Sequence, residues 1–288
     1  MKEMARTIQW FPGHMAKAQR EAKEKMQLVD LVLEMVDARI PQSSQNPVVQ
    51  EIIGSKPNIL VLNKADMAEA KLNQTWIEYF QEQGRQAIAI DAQHNRGLKH
   101  LQQAIKDQMA PVFEQRRLKG IKDRPIRLMI LGIPNVGKST LINRFVGKNQ
   151  AITGNKPGVT KKQRWLKFAK EFELLDTPGI LWPKFDDPAV GIKLAITGAI
   201  KDDLLYHDDL ALYLLETLVK YAPQRLAETY KVNQSEIEQL STVDLLLLLT
   251  EKLGFKDDYD QASQKIIQDY RQLKLGQLTL DRVTYGDD

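Results

Sequence analysis

IRLMILGIPNVGKSTLINRF, residues Ile126–Phe145, is the stretch whose reading decides the fold. The apolar run Arg127–Leu131 has the composition of a buried strand, and Leu141, Ile142 and Phe145 then fall on one face of a helix. Between them, Gly132-Ile133-Pro134-Asn135-Val136-Gly137-Lys138-Ser139 matches G-x-x-x-x-G-K-[ST] in the strand-then-helix context that marks a phosphate-binding loop. Glycines at both ends let successive backbone N–H groups curl around anionic oxygens, and the helix N-terminus adds partial positive charge. Lys138 supplies a point charge for the β- and γ-phosphates, and the Ser139 hydroxyl is the expected Mg²⁺ ligand. The loop amides from Asn135 through Val136, Gly137, Lys138, Ser139 and Thr140 complete the expected phosphate cradle. The chain is therefore expected to bind a nucleoside triphosphate.

Upstream, the apolar run Asn58–Leu62 delivers Asn63-Lys64-Ala65-Asp66, an N-K-x-D sequence at the end of a second buried strand. A carboxylate on Asp66 accepts two hydrogen bonds from the N1–H and 2-amino groups of guanine, a donor pair that adenine lacks. Asn63 is expected to tie this loop to the phosphate loop, and the Lys64 stem to cover the base. Downstream, Lys156-Pro157-Gly158-Val159-Thr160 holds a switch candidate, Thr160, with its hydroxyl on Mg²⁺. Asp176-Thr177-Pro178-Gly179 follows a further strand: Asp176 would complete the Mg²⁺ shell through water, and the Gly179 N–H would sense the γ-phosphate.

The chain has 288 residues, 43% hydrophobic and 27% charged, with no Cys and four His. That is ordinary composition for one or two soluble domains with a sizeable core. Disulfides and Cys-based metal sites are excluded, and a cytoplasmic, reducing setting is expected. No apolar stretch reaches membrane-spanning length, and MKEMARTIQWFPGHMAKAQ lacks the apolar core of a secretory signal. Charge is unevenly placed. Residues 201–288 hold ten Lys or Arg against seventeen Asp or Glu, a balance of −7, so the first 200 carry +11 to leave +4 overall. Lys17–Lys25, Arg116–Arg127 and Lys161–Lys170, the last with Trp165 and Phe168, are basic clusters of the kind that meet RNA.

In chain order, a helix is expected from Met15 to about Gln27, a central strand over Leu28–Val36 ending in Asp37-Ala38-Arg39, and a helix over Asn46–Ile53. After Asn58–Leu62 come a helix (Ala70–Gln83), a strand (Ala87–Ile90) leading to Asp91-Ala92, and a long helix (Leu98–Arg117). Strands over Gln163–Phe168 and Phe172–Leu175 follow the phosphate loop. The alternation predicts an α/β fold with a mostly parallel sheet covered by helices on both faces. Trp182–Pro188, with two prolines and an acidic pair, reads as a boundary. Beyond it helices are expected over Ala189–Ile200, Asp208–Lys220, Pro223–Tyr230, Ser235–Leu253 and Gln261–Leu273, with caps at Asp208, Ser235 and Asp260. The expected division is a nucleotide domain over 1–182 and an all-α, RNA-binding domain over 183–288.

In GTPases the phosphate loop ordinarily precedes the guanine motif; here Asn63–Asp66 and Asp91-Ala92 come first. The chain thus resembles a circularly permuted P-loop GTPase. The opening Trp10-Phe11-Pro12-Gly13-His14-Met15 narrows the resemblance to the bacterial ribosome biogenesis GTPase A family, over essentially the whole chain. The resemblance implies GTP and GDP as ligands, and a precursor of the large (50S) ribosomal subunit with its rRNA as partner and stimulator of hydrolysis. No basic amphipathic helix with bulky apolar anchors speaks for a membrane partner. It also marks Ala92 as the residue whose N–H meets the guanine carbonyl, although Asp91 stands where Ser is usual.

The position after D-x-x-G, where many GTPases carry a water-orienting Gln, is Ile180. Two other groups are candidates for promoting hydrolysis: Asn135, placed like residues that hold K⁺ in some GTPases, and His14, as a base or water-orienting group. With Lys138 and Thr160, His14 completes the expected catalytic set. Alternative readings are a GTP-dependent RNA-binding placeholder whose slow hydrolysis serves only release, and a GTPase acting on tRNA.

Overall fold

The computed structural model describes residues 13–147, 164–177, 179–182, 185–200 and 206–283, with only the backbone described for His14, Arg164 and Asp176. Thr160, the basic run Lys161–Gln163 and Trp10–Pro12 lie outside the described residues.

The chain opens with α1 (Gly13–Lys25) and a single 3₁₀ turn, then β1 (Leu31–Asp37), α2 (Pro47–Ile53), β2 (Asn58–Asn63), α3 (Ala70–Glu82), β3 (Ala87–Ala89) and α4 (Leu98–Leu118). There follow β4 (Ile126–Gly132), α5 (Lys138–Val146), β5 (Arg164–Phe168) and β6 (Phe172–Asp176). The six strands form one sheet in the order β3-β2-β1-β4-β6-β5, parallel throughout except for the β5–β6 pair.

All seven residues of β1 are buried, as a strand covered on both faces requires. The period of two sorts them: Leu31, Leu33 and Met35 join the same apolar cluster as Leu128 and Ile130 of β4, whereas Val32 joins Met129 and Leu131 on the opposite face. Ala18 and Ala22 of α1 and Val49, Ile52 and Ile53 of α2 cover that second face. Trp76 and Phe80 of α3 close the sheet over Leu60 and Leu62. Each such aliphatic side chain contributes about 2 kcal/mol by leaving water.

The remaining elements are helical: α6 (Pro188–Ile196), α7 (His207–Tyr221), α8 (Pro223–Tyr230), α9 (Gln234–Gln239), α10 (Thr242–Lys252) and α11 (Tyr259–Arg271). The buried stripe Leu210, Ala211, Leu214, Leu215 and Leu218 of α7 shares a cluster with Ile266, Ile267 and Tyr270 of α11. The helix expected over Ser235–Leu253 is two helices. It breaks at Leu240-Ser241 because the Ser241 hydroxyl takes the Asp244 N–H at 3.1 Å and starts a new helix. The caps are also displaced from expectation. Asp208 lies inside the first turn of α7, Asn233 rather than Ser235 caps α9 with a reciprocal bond from Glu236, and Asp258 rather than Asp260 caps α11. The expected helix through Ile200 stops at Ile196, with Gly198 in the left-handed region.

After α11 the described residues are not helical. Residues 275–283 run back across the sheet's loops: Gln277 Nε2 donates to the Asp66 carbonyl at 2.9 Å, and the Leu280 N–H to the Arg39 carbonyl at 2.7 Å. Thr279 and Glu69 exchange two hydrogen bonds, at 3.1 and 3.0 Å. Asp281, 3% exposed, accepts from the Ser43 N–H and hydroxyl and pairs with Lys193, each at 2.7 Å.

Candidate nucleotide site

Parallel strands place all their C-terminal ends on one edge of the sheet, where α/β folds bind ligands. Along that edge the order of strands puts Asp91-Ala92 after β3, Asn63–Asp66 after β2, Asp37–Arg39 after β1, the Gly132–Ser139 loop after β4, and Asp176 at the end of β6. Every expected motif with described residues therefore shares one rim.

The loops are also bonded to each other. Asn63 Nδ2 donates to the Val136 carbonyl at 2.8 Å, and its Oδ1 accepts the Ala92 N–H at 3.1 Å. One amide thus joins all three loops, where Asn63 was expected to tie only its own loop to the phosphate loop; the Ala92 N–H, expected on the base, is held by Asn63 instead. Gly137 has φ of +103°, and a Cβ there would run into Asn63 Nδ2, so glycine is required by both conformation and close approach. Arg144 of α5 ties the phosphate-loop helix to the same place, donating to the carbonyls of Ala92 at 3.2 Å and Gln93 at 2.5 Å.

Lys138 opens α5, and its Nζ donates to the carbonyls of Ile133 at 2.7 Å and Gly132 at 3.2 Å, so the ammonium is folded over the loop. Ser139 and Thr140 follow in the first helical turn, half-buried. Asn135 has φ of +57°, and its Nδ2 donates to the Gly198 carbonyl at 2.7 Å. Gly179 packs on the phosphate loop: a Cβ there would come within 2.7 Å of Pro134 Cα. Ile180 turns the other way. Its side chain is fully buried in the cluster that includes Ala18 and Ala22, its N–H bonds Gly132 at 3.1 Å, and its carbonyl accepts Asn46 Nδ2 at 2.8 Å.

Sequence reasoning took Asp37-Ala38-Arg39 only as a strand end; the structure makes it the hub of the rim. Arg39, 2% exposed, pairs with both carboxylate oxygens of Asp37, Nε to Oδ1 at 2.9 Å and Nη2 to Oδ2 at 2.7 Å. Lys64 Nζ reaches Asp37 Oδ2 at 2.9 Å, which fixes the stem expected to cover the base. Burial alone would push the Asp37 carboxyl up, but the adjacent Arg39 and Lys64 charges outweigh it and hold it well below the usual range. Burial lowers the Lys64 ammonium, with Arg39 adding to that effect and Asp37 opposing it. The signal that could have flagged this hub is an Asp and an Arg two residues apart at the end of a mostly apolar strand.

The C-terminus of α6 docks against the same rim. Its carbonyls are taken by side chains from three places: Arg271 on Ala195 and Ile196 at 2.6 and 2.8 Å, Arg39 on Thr197 at 3.1 Å, and Asn135 on Gly198. Such groups satisfy orphaned carbonyls and complement the negative end of the helix dipole.

Two basic clusters meet elsewhere. Lys106, Arg117, Arg124 and Lys170 line a depression of about 410 Å³ together with Asp123 and Glu171. Much of that charge is paired: Lys106 with Glu171, Arg117 with Asp123 and Arg124 with Asp30, all at 2.7 Å. Among the described residues no helix is long and apolar enough to cross a membrane.

The sequence pattern of a family described as "50S ribosome-binding GTPase" matches residues 127–275. Ribosome biogenesis GTPase A of Bacillus cereus is 50% identical over 276 residues, covering 95% of this chain and 93% of that protein. The protein of the same name from Priestia megaterium is 49% identical over 278 residues, 96% of each chain. In fold, a GNP-bound YlqF from T. maritima superposes with a TM-score of 0.62 at 24% identity, covering 92% of this chain and 98% of that one. Half-identity sustained over nearly the full length of these relatives places the chain in the ribosome biogenesis GTPase A family.

Proposed function

We propose that this chain binds GTP across the rim between Asp66 and Lys138, hydrolyses it, and acts in assembly of the large ribosomal subunit in the cytoplasm. The observation that carries the reading is the Asn63 amide, which bonds the Asp66-bearing loop to the phosphate loop at Val136. The family pattern, described as a 50S ribosome-binding GTPase, and the relatives' names support the ribosomal assignment. The motif order, guanine loop before phosphate loop, supports a circularly permuted GTPase.

The reaction is attack of water on the γ-phosphate. Lys138 would exchange its two loop carbonyls for β- and γ-phosphate oxygens, and the loop amides would cradle the rest. Ser139 and Asp176 with Thr160 offer the hard oxygen ligands that Mg²⁺ takes, and the ion when bound neutralises charge on the β- and γ-phosphates. Ile180 cannot orient the water, since its side chain is buried away from the loop. The work falls to His14, at the start of a helix whose Ala18 and Ala22 share the cluster of Ile180, or to a K⁺ ion held by Asn135.

The division at residue 182 is proposed with one addition: the helical part, 183–288, returns to the nucleotide loops through residues 275–283. With α6 held by Asn135 of the phosphate loop, nucleotide state would set the pose of the helices. The basic depression around Arg117 and Lys170 supports contact with rRNA.

Turnover with and without large-subunit precursors tests the proposal, together with crosslinking to those particles in the presence of a non-hydrolysable GTP analogue. Stimulated turnover and crosslinks to rRNA are expected; particle-independent turnover without crosslinks would overturn the ribosomal assignment. The buried Ile180 favours a second reading, a timing module with slow hydrolysis used only for release, which predicts binding to the particle with no more than weak stimulation. His14→Ala kinetics, and rates in K⁺ against Na⁺ at equal ionic strength, separate the two candidate promoters.

A further inference from the structure

Asp91 closes a tight turn after β3, with its N–H and carbonyl both paired to Arg96, at 3.1 and 3.0 Å. Its carboxylate is 3% exposed and turns inward, accepting the His94 N–H at 3.0 Å and the His94 ring Nδ1 at 2.7 Å. A carboxylate only accepts, so Nδ1 is the protonated ring nitrogen. The same Nδ1 lies 3.8 Å from Oδ2 of Asp66. The ligand atoms of Asp66, Asp91 and His94 all fall within 4.8 Å of one another. Arg144 pins the turn to α5 through the Ala92 and Gln93 carbonyls, so this arrangement is anchored rather than a loose loop contact.

A second carboxylate beside Asp66 is a liability for a guanine site. Asp66 must stay ionised and correctly aimed to accept two N–H groups, and a docked base removes the water that screens it from Asp91. We propose that His94 is a specificity-determining residue of this site: its Nδ1–H, between the carboxylates of Asp91 and Asp66, offsets their repulsion and holds Asp66 as a double acceptor for the base edge. This rests on the reading of Asp66 as the guanine-binding residue.

The electrostatic setting agrees with the geometry. Burial and then the Asp91 charge raise the Asp66 carboxyl, while His94 and Arg96 pull it down. Arg39 and Lys64 are the other charged groups that feel Asp66. Removing the His94 ring leaves the repulsion unopposed, so Asp66 takes up its proton at higher pH and then presents a donor where guanine also donates.

The test is GDP affinity of the full chain, with ADP as reference, for wild type, His94→Ala, Asp91→Ser and the double variant. His94 is 59% exposed at its side chain, so the alanine variant keeps the fold. His94→Ala is expected to weaken GDP binding about tenfold, with ADP unchanged. Adding Asp91→Ser is expected to restore most of the loss, because the repulsion then has no source. A purely structural role predicts the opposite sign, since Asp91→Ser also removes the acceptor that holds the turn. In His94→Ala the fall of GDP affinity on acidification should begin at higher pH than in wild type. Unchanged GDP affinity in His94→Ala, or a deeper loss in the double variant, overturns the inference while leaving the guanine reading intact. Equal affinity of the wild type for GDP and ADP overturns the guanine reading itself.

Discussion

Asn63 Nδ2 donates to the carbonyl of Val136 at 2.8 Å across 73 residues of chain, and this bond holds the loop after β2 against the phosphate loop after β4. Because Asn63 Oδ1 also accepts the Ala92 N–H, the side chain has no equivalent in any shorter or purely donating residue. Asn63→Ala leaves a buried carbonyl and a buried N–H without this partner. Stability is expected to fall by about 2 kcal/mol, and GTP and GDP affinities by about tenfold or more. Titration calorimetry with thermal unfolding checks both; full affinity in the variant would show that the loops are held together by other means.

Ile180 occupies the position from which other GTPases orient water, yet it is fully buried in the cluster beneath the sheet. Ile180→Gln should therefore not create a faster enzyme. It is expected to cost about 1–3 kcal/mol by burying an amide in an apolar cluster, with intrinsic GTP turnover no higher than wild type. Single-turnover hydrolysis and urea unfolding are the measurements, and accelerated hydrolysis would show that this side chain reaches the site.

Asp37 binds two cations, Arg39 and Lys64, inside the rim. Its carboxyl is held below the ordinary range in the folded chain, so its stabilisation is present above the unfolded value, about 4, and is lost as pH falls toward the depressed native value. Asp37→Asn leaves both cations without their carboxylate and is expected to cost about 3–5 kcal/mol at pH 7. Unfolding curves from pH 7 down to pH 3 should show the gap between wild type and variant narrowing only in the acid limb.

Asp281 is the anchor of the returning segment, holding Ser43 and the half-buried Lys193. Asp281→Ala should destabilise the chain by about 3 kcal/mol, because Lys193 is left buried with its main counter-charge gone. Guanine nucleotide affinity should fall with it, since residues 277–279 brace Asp66 and Glu69. Denaturant unfolding and GDP titration of the same variant test both, and an unchanged midpoint would rule out an anchoring role.

What the sequence made legible was local chemistry joined to a strand end. Gly132–Ser139, Asn63–Asp66 and the Asp176 strand each pair a buried apolar run with a motif, and the parallel sheet then brings them to one rim. What it hid was tertiary. Arg39 is a buried cation whose partners lie two residues away and at Thr197, and no periodicity announces that. Residues 275–283 alternate polar and apolar only over Gln277–Asp281, too short a run to announce their return across the loops. The run Ser235–Leu253 is leucine-rich and free of Gly and Pro, which masked the fresh start at Ser241. His94 was missed because Asp91 was weighed only as a departure from Ser, without following its carboxylate three residues on.

The central claim is that Asp66 and Lys138 close on the two ends of one guanosine triphosphate. Competition binding of GTP, ATP and XTP to wild type and Asp66→Asn tests it most directly. Wild type is expected to prefer GTP over ATP by at least about 100-fold, because adenine offers the Asp66 carboxylate no donor pair. Asp66→Asn should shift the preference toward XTP, whose 2-carbonyl accepts from the new amide. Equal affinity of wild type for GTP and ATP, or an unaltered preference in Asp66→Asn, would contradict the account.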